Sequence, residues 1–412
     1  MAPSFLAEYV RAAGVSEVPA AYHRWCGLFC LAAAASDHVW IEKHPGERLV
    51  PNLYVFLLGP SGIGKGAAIS VAYRLLKAVT AIRMLRGKVT AAYLADFLSN
   101  KKLGAKVTVI TPELALSVGR GPLADDLVKL LTELYTGGDY EFHEGTRTHG
   151  TVTFRDHCVN WLAGTTREWL RDCITKDAVE GGFFARCAPV QAAYDLELRI
   201  PVPSVPLDWL AAGTGLVRHL EAIAGHGGRV YFTGDAQRVL DDWYVQRPEP
   251  DDETLIPTWK REHDLVLKLS MLLALSDDPV AGYIDTPHVA GAQRLAAESM
   301  AALPPLVEYV ALTRETDGLR MVRELIRRAG ALQHTALARV VARHGMTADR
   351  LQMFLVTLLA GRTIRRVGAG QTTVYVWTGQ RAMPEEVWHG DNGTGMVGEH
   401  VIDDERELDD PG

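Results

Sequence analysis

The sequence has no long hydrophobic run. Its most apolar early stretch, GLFCLAAAAS from Gly27 to Ser36, is too short to span a bilayer, which argues against a membrane partner. Cysteine is scarce: Cys26, Cys30, Cys158, Cys173 and Cys187 form no CxxC pair and no even set, so a disulfide framework is not expected. Cys26 and Cys30 stand four apart on an expected helix, where core packing is the plain reading. The opening MAPSFLAEYV lacks a basic segment and a cleavage signal, and we expect a reducing, cytoplasmic location. An overall positive charge is also missing, since the net charge is −7. From Glu385 onward, however, ten acidic residues face only Arg406, a net of −9 that leaves about +2 for the preceding body. The charge therefore neither demands nor excludes DNA.

The most informative stretch runs from Asn52 to Lys77. The apolar run NLYVFLLG feeds the turn PSGIGKG, and AAISVAYRLLK leaves it with helical periodicity. Strand, glycine-rich loop and helix together give a Walker A match its meaning. Gly59, Pro60, Ser61, Gly62, Ile63, Gly64, Lys65 and Gly66 are the expected nucleotide-binding positions. Their backbone N–H groups and the helix start would face phosphate, and Lys65 would reach the β- and γ-phosphates of ATP. The pattern asks for a hydroxyl after the lysine to ligate Mg2+, and Gly66 stands there. A glycine-rich β–α turn that binds nothing is the bland alternative.

The first 50 residues read as helices, including PAAYHRWCGLFCLAAAASDHVWI. MLRGKV can hold a short strand, and Thr90 reads as an N-cap for TAAYLADFLSNKK. KVTVITPEL is a β-branched run of the kind found in buried parallel strands. It ends at Glu113, the candidate for polarising the attacking water, with Pro112 where an aspartate could stand. A helix is expected from Ala124 to Tyr135. TGGDYEFHEGTRTHGTVTFRD then reads as a β-hairpin with His143 on the outgoing arm and Arg147 and His149 near the tip, as candidate phosphate-backbone contacts. HCVNWLAGTT is the next core strand, and Thr165 at its carboxyl end is preferred over Asn160 for sensing the γ-phosphate. EGGFFARCAPV supplies Arg186, placed to reach a neighbouring subunit's nucleotide; a salt-bridged structural arginine is the alternative.

After RIPVPSVPLDW the chain turns helical. WKREHDLVLKLSMLLALSD carries Lys260, Arg261 and Lys268 on a helix expected to lie over the nucleotide, with Arg261 as a second candidate sensor. From Asp317 to Trp377, three helical patterns precede the strand–turn–strand TIRRVGAGQTTVYVWTG, the order of a winged helix. Arg343, Arg350, Arg362, Arg365 and Arg366 give it a basic side, and Arg350 is the candidate duplex contact. The acidic end reads as a disordered, partner-binding tail.

The order of these motifs resembles a family of phage- and plasmid-encoded P-loop proteins of unknown-function label, often described as replicative helicases or helicase–primase components. It is distantly similar to MCM and superfamily 3 helicases. Phe183 to Arg186 correspond to the MCM turn that carries an arginine finger, and the hairpin with Arg147 and His149 corresponds to their DNA-binding hairpin. The resemblance covers residues 20 to 380. It implies an α/β, AAA+/RecA-like P-loop NTPase with a three-layer core, parallel sheet, helical lid and C-terminal winged helix. The implied division is a helical segment 1–50, an ATPase core 51–196, a lid 197–316, a winged helix 317–379 and a tail 380–412. A homo-hexamer or other ring would move along single-stranded DNA in the host cytoplasm, with duplex at the winged helix and replication proteins at the tail. A loader or scaffold with slow ATP turnover is the second reading, favoured by Gly66. Nothing in the sequence suggests a primase site, and a small-molecule kinase would leave the winged helix without a purpose.

Overall fold

The computed structural model describes residues 3–14, 16–100, 104–114, 122–137, 142–146, 150–173, 182–193, 209–250, 255–368, 370 and 373–378. They fall into two compact units, Met1–Arg314 and Glu315–Gly412.

The first unit is α/β. Helices Phe5–Ala13 and Ala20–Ala35 precede strands β1 (Val39–His44) and β2 (Glu47–Leu49), so the first 50 residues are not all helical as the sequence suggested. VWIE alternates inward and outward residues, and that period of two favours a strand. Helix Ala20–Ala35 buries 13 of its 16 residues, as expected of a helix that is apolar all round and lies in the interior.

The central sheet contains β3 (Tyr54–Leu58), β4 (Met84–Arg86), β5 (Lys106–Thr111), β8 (Cys158–Thr165) and β9 (Cys187–Gln191). Between β5 and β8 the chain makes the antiparallel hairpin β6 (Phe142–Thr146) and β7 (Gly150–Phe154). The sheet order is β4–β5–β8–β3–β9, parallel throughout. All of β3 and all of β8 are buried, the pattern of strands covered on both faces. Val55 and Leu57 join one core with the helices Ala20–Ala35, Lys65–Lys77 and Ile256–Asp277. Tyr54, Phe56 and Leu58 join a second core with the helices Ala91–Leu98 and Pro122–Leu134. Thr90 caps the first of these, accepting from the Tyr93 N–H at 3.3 Å.

Smaller strands complete this unit. β10 (Gly228–Arg229) pairs with β1, and β11 (Tyr231–Phe232) pairs with β12 (Tyr283–Ile284). In the second unit, helices His334–Arg343 and Ala348–Ala360 and the end of helix Leu303–Ala329 enclose Val322, Ile326, Leu337, Phe354 and Leu358. They pack with an antiparallel sheet of β13 (Ala331–Gln333), β14 (Ile364–Val367) and β15 (Val374–Trp377), ordered β13–β15–β14. The sequence indicated the last two strands and missed β13. Helix Leu303–Ala329 includes Asp317, where the sequence suggested that the winged-helix pattern starts.

Candidate functional site

The chain leaves β3 for the outer strands β4 and β5, returns at β8 beside β3, and crosses to β9 on its other side. That reversal opens a crevice at the carboxyl ends of the strands, where open α/β sheets bind ligands. A cleft of about 500 Å³ lies there, lined from three directions. Ser61, Gly62, Gly64, Lys65 and Gly66 form one wall, Pro112 to Leu114 a second, and Gly164 to Thr166 with Trp169 the third.

The loop geometry follows from its glycines. Gly62 and Gly64 have φ of 86° and 92°, values that side chains rarely tolerate. Gly64 leads directly into helix Lys65–Lys77, whose positive end opens on the cleft. Gly59 donates to the Thr165 carbonyl at 3.3 Å, tying the loop to β8, while Ile63 is buried as its anchor. Lys65 Nζ donates to the carbonyls of Gly59 and Pro60, both at 2.6 Å. Partial burial lowers its pKa, and the carboxylates of Glu113 and Glu168 act against that shift.

Glu113 is exposed at the end of β5. Its strand is not the direct neighbour of β3, because β8 lies between them. Trp161 of β8 reaches across, its indole N–H donating to Thr111 Oγ1 at 3.1 Å, and so fixes the end of β5 before the Pro112–Glu113 turn. Thr165 lines the cleft, buried at the end of β8. Asn160 does structural work instead. Its Oδ1 accepts from Leu53 N–H at 2.9 Å in the middle of the sheet.

Three contributors were missed by the sequence reading. Gly164 allows close packing: a Cβ there would lie 2.6 Å from the Pro112 carbonyl oxygen, so a side chain would force β5 and β8 apart. Trp169 and Glu168 come from helix Arg167–Cys173, which begins as soon as β8 ends. Thr166 Oγ1 accepts from the Trp169 N–H at 3.3 Å, and the capping pattern TTREWL was the signal for this helix. Oxygen donors suit magnesium, which takes one or two carboxylates beside phosphate oxygens and water. Glu113 and Glu168 could supply them, but Gly66 cannot. A Cβ at Gly66 would meet nothing within 4 Å, so the missing hydroxyl is not excluded by crowding. Among the described residues no three His, Cys, Asp or Glu side chains gather as a metal cluster.

Arg186 lies elsewhere. It ends the short turn Phe184–Arg186 just before β9, whose first residue Cys187 is level with Tyr54. The cleft is at the other end of β3, roughly 13 Å along the strand. Arg186 Nη1 donates to the Gly182 carbonyl at 2.8 Å, and its Nε is buried with no hydrogen-bond partner among the described residues. Burial, and then the guanidinium of Arg261, lower its pKa. Arg261 thus acts electrostatically on Arg186 and does not line the cleft, which differs from the expectation for its helix. Helix Ile256–Asp277 is part of the core, with Leu265, Val266, Leu269 and Leu272 buried in it, and none of its residues lines the cleft.

That helix also buries a cation. Lys268 is 0% exposed, and its Nζ donates to Asn52 Oδ1 at 2.7 Å and to the Asn52 carbonyl at 3.2 Å. It sits 3.7 Å from the centre of the Tyr135 ring. Burial brings its pKa down to about 7. Asn52 in turn donates to the carbonyls of Tyr135 and Val159, each at 3.0 Å.

The hairpin β6–β7 forms, with Phe142 stacked on Phe154 at 4.7 Å, but Arg147 and His149 lie outside the described residues. Arg350 lies in the first turn of helix Ala348–Ala360, exposed, with its guanidinium 5.9 Å from the Phe354 ring. Arg343, Arg362, Arg365 and Arg366 are exposed in the same unit. No helix among the described residues is long and apolar enough to cross a membrane. No protein-family model and no curated protein matches the sequence.

Proposed function

We propose that this protein is a P-loop ATPase that binds ATP in the cleft and uses its hydrolysis to move along DNA as a ring, most simply a replicative helicase of a phage or other mobile element. The observation that carries this reading is the loop Gly59–Lys65 at the carboxyl end of a buried central strand. Lys65 is held there beside a helix start and faces Glu113 and Thr165 across the cleft.

In this reading Lys65 exchanges its two loop carbonyls for phosphate oxygens. Glu113 accepts a proton from the attacking water, and Thr165 orients that water or the γ-phosphate. Trp169 offers an apolar wall. When bound, magnesium would be held by Glu113 and Glu168 and would neutralise charge on the phosphates. Arg186, unable to reach the cleft of its own chain, serves the cleft of an adjacent copy, with Arg261 beside it. A hexamer or another ring is the assembly this requires. The second unit reads as a winged helix whose Arg350 side meets duplex, and the β6–β7 hairpin as an element gripping a single strand.

The test is ATP turnover by the purified protein with and without single-stranded oligonucleotide. Stimulation of tenfold or more is expected, and no turnover under either condition would remove the translocase. Gly66 favours a second reading, a nucleotide-gated loader or scaffold with slow turnover. Gly66→Ser separates the two. The site has room for the side chain, and serine also favours a helix more than glycine does, by about 0.5 kcal/mol. If the missing hydroxyl limits magnesium binding, Gly66→Ser raises turnover severalfold at submillimolar magnesium. If the native site is already complete, the magnesium titration is unchanged.

A further inference from the structure

A surface outside these motifs sets arginines between aromatic rings. The register of the small strands produces it. Val39 and Ile41 point into the core, so Trp40 and Glu42 face outward, and Arg48 is level with Glu42 on β2. β10 places Arg229 level with Trp40, Val230 turns inward, and Tyr231 faces outward, level with Tyr283 on β12. The result is one line, Arg48–Trp40–Arg229–Tyr231–Tyr283. Arg48 lies over Trp40 at 4.6 Å, and Arg229 lies 5.8 Å from Trp40 and 4.8 Å from Tyr231. The Tyr231 and Tyr283 rings are 6.3 Å apart. Glu42 pairs with Arg229 and holds its guanidinium against the rings.

Core packing does not account for the outer end of this line, because Tyr231 is 48% and Tyr283 63% exposed. Two exposed tyrosines continue an arginine–tryptophan stack and leave much of their ring surface open to solvent. Every nucleobase has a complementary face, and rows of rings with interleaved arginines are how proteins bind single strands without reading sequence.

We propose that this face is a stacking platform for single-stranded nucleic acid, with bases lying on Tyr283 and Tyr231 and the backbone passing Arg229 and Arg48. Its length suits on the order of four nucleotides, the low end of known site sizes. Arg229 is already paired with Glu42, so stacking carries the affinity and the salt dependence is shallow. The platform concerns the DNA side of the proposed function and is separable from its ATPase side.

The experiment measures anisotropy of a fluorescein-labelled 20-residue oligothymidylate with full-length protein, without nucleotide, at two salt concentrations. ATP turnover without DNA is recorded alongside. The pair Tyr231→Ala and Tyr283→Ala is expected to weaken binding at least tenfold, while Tyr231→Phe with Tyr283→Phe keeps it within twofold. Both variants should retain DNA-independent turnover and the wild-type melting temperature, because exposed side chains are being changed. Binding by the alanine pair within twofold of wild type overturns the platform, as does an equal loss in the phenylalanine pair. A wild-type protein that hydrolyses ATP and ignores the oligonucleotide overturns it too, and leaves the ATP site standing. Loss of self-association in the alanine pair, with DNA binding intact, assigns the face to protein contact and also overturns it.

Discussion

Alanine at Arg186 is expected to lower ATP turnover by about 10³-fold while leaving ATP binding within a fewfold, because an arginine supplied in trans acts on the transition state and not on the ground state. The structure makes the expectation specific. Arg186 and Lys65 occupy opposite ends of one sheet, so a defect in either can be complemented only between copies. Lys65→Ala is expected to abolish turnover, since the proposed site loses its phosphate-facing cation. Mixed one to one, Lys65→Ala and Arg186→Ala subunits regain about a quarter of wild-type turnover, the share of random interfaces that pair an intact loop with an intact arginine. Turnover in the mixture no higher than in either variant alone would show that no site is shared.

The second large effect concerns stability. Lys268→Met keeps most of the side chain's volume and removes its charge. It also leaves Asn52 Oδ1 without its buried donor, a loss of about 1–3 kcal/mol. The pH dependence is the sharper signature. An unfolded lysine titrates near 10.4, whereas burial lowers Lys268 to about 7 in the folded protein. Between these values the unfolded chain binds the extra proton, so stability from this group is full above about 10.4 and is lost as pH falls toward 7. Wild type should therefore gain on Lys268→Met as pH rises, by about 1.3 kcal/mol per unit in mid-range and about 3 to 4 kcal/mol in all from pH 7 to 10. Burial raises the thiols of Cys26, Cys30, Cys158 and Cys187, which oppose this trend at alkaline pH in both proteins. The parts from Cys26, Cys30 and Cys187 cancel in the difference, whereas Cys158, whose pKa the Lys268 charge lowers, leaves a remainder at alkaline pH. Urea denaturation of both proteins at each pH measures it. A constant difference would mean that Lys268 titrates normally.

The parts of this molecule that were legible in the sequence are those set by local pattern. The run YVFLL, the glycines after it and the helix beginning at Lys65 each state their conformation within a few residues. So do the Thr90 cap and the helical periods of the second unit. What the sequence hid depends on long-range register. Nothing near Gly164 says that the Pro112 carbonyl will lie against it. Arg261 looked like a residue above the nucleotide because its helix carries Lys260, Arg261 and Lys268 in a region that reads as a lid. The burial of Lys268 and its neighbours shows that the helix is a core element, which carries Arg261 to the far edge. β13 is three residues long and exists only through its pairing with β15, so no local signal marks it.

Strand β3 has a mechanical consequence. Asn52, just before it, is gripped by Lys268 at 2.7 Å, and Gly59, just after it, opens the glycine-rich loop. About 23 Å of extended backbone joins the two. Every residue of β3 is locked in register against β8 on one side and β9 on the other. Such a segment has no joint in it and behaves as a pushrod. The helix that grips its Asn52 end is the one that carries Arg261, whose charge acts on Arg186, so one rigid strand stands between that region and the loop.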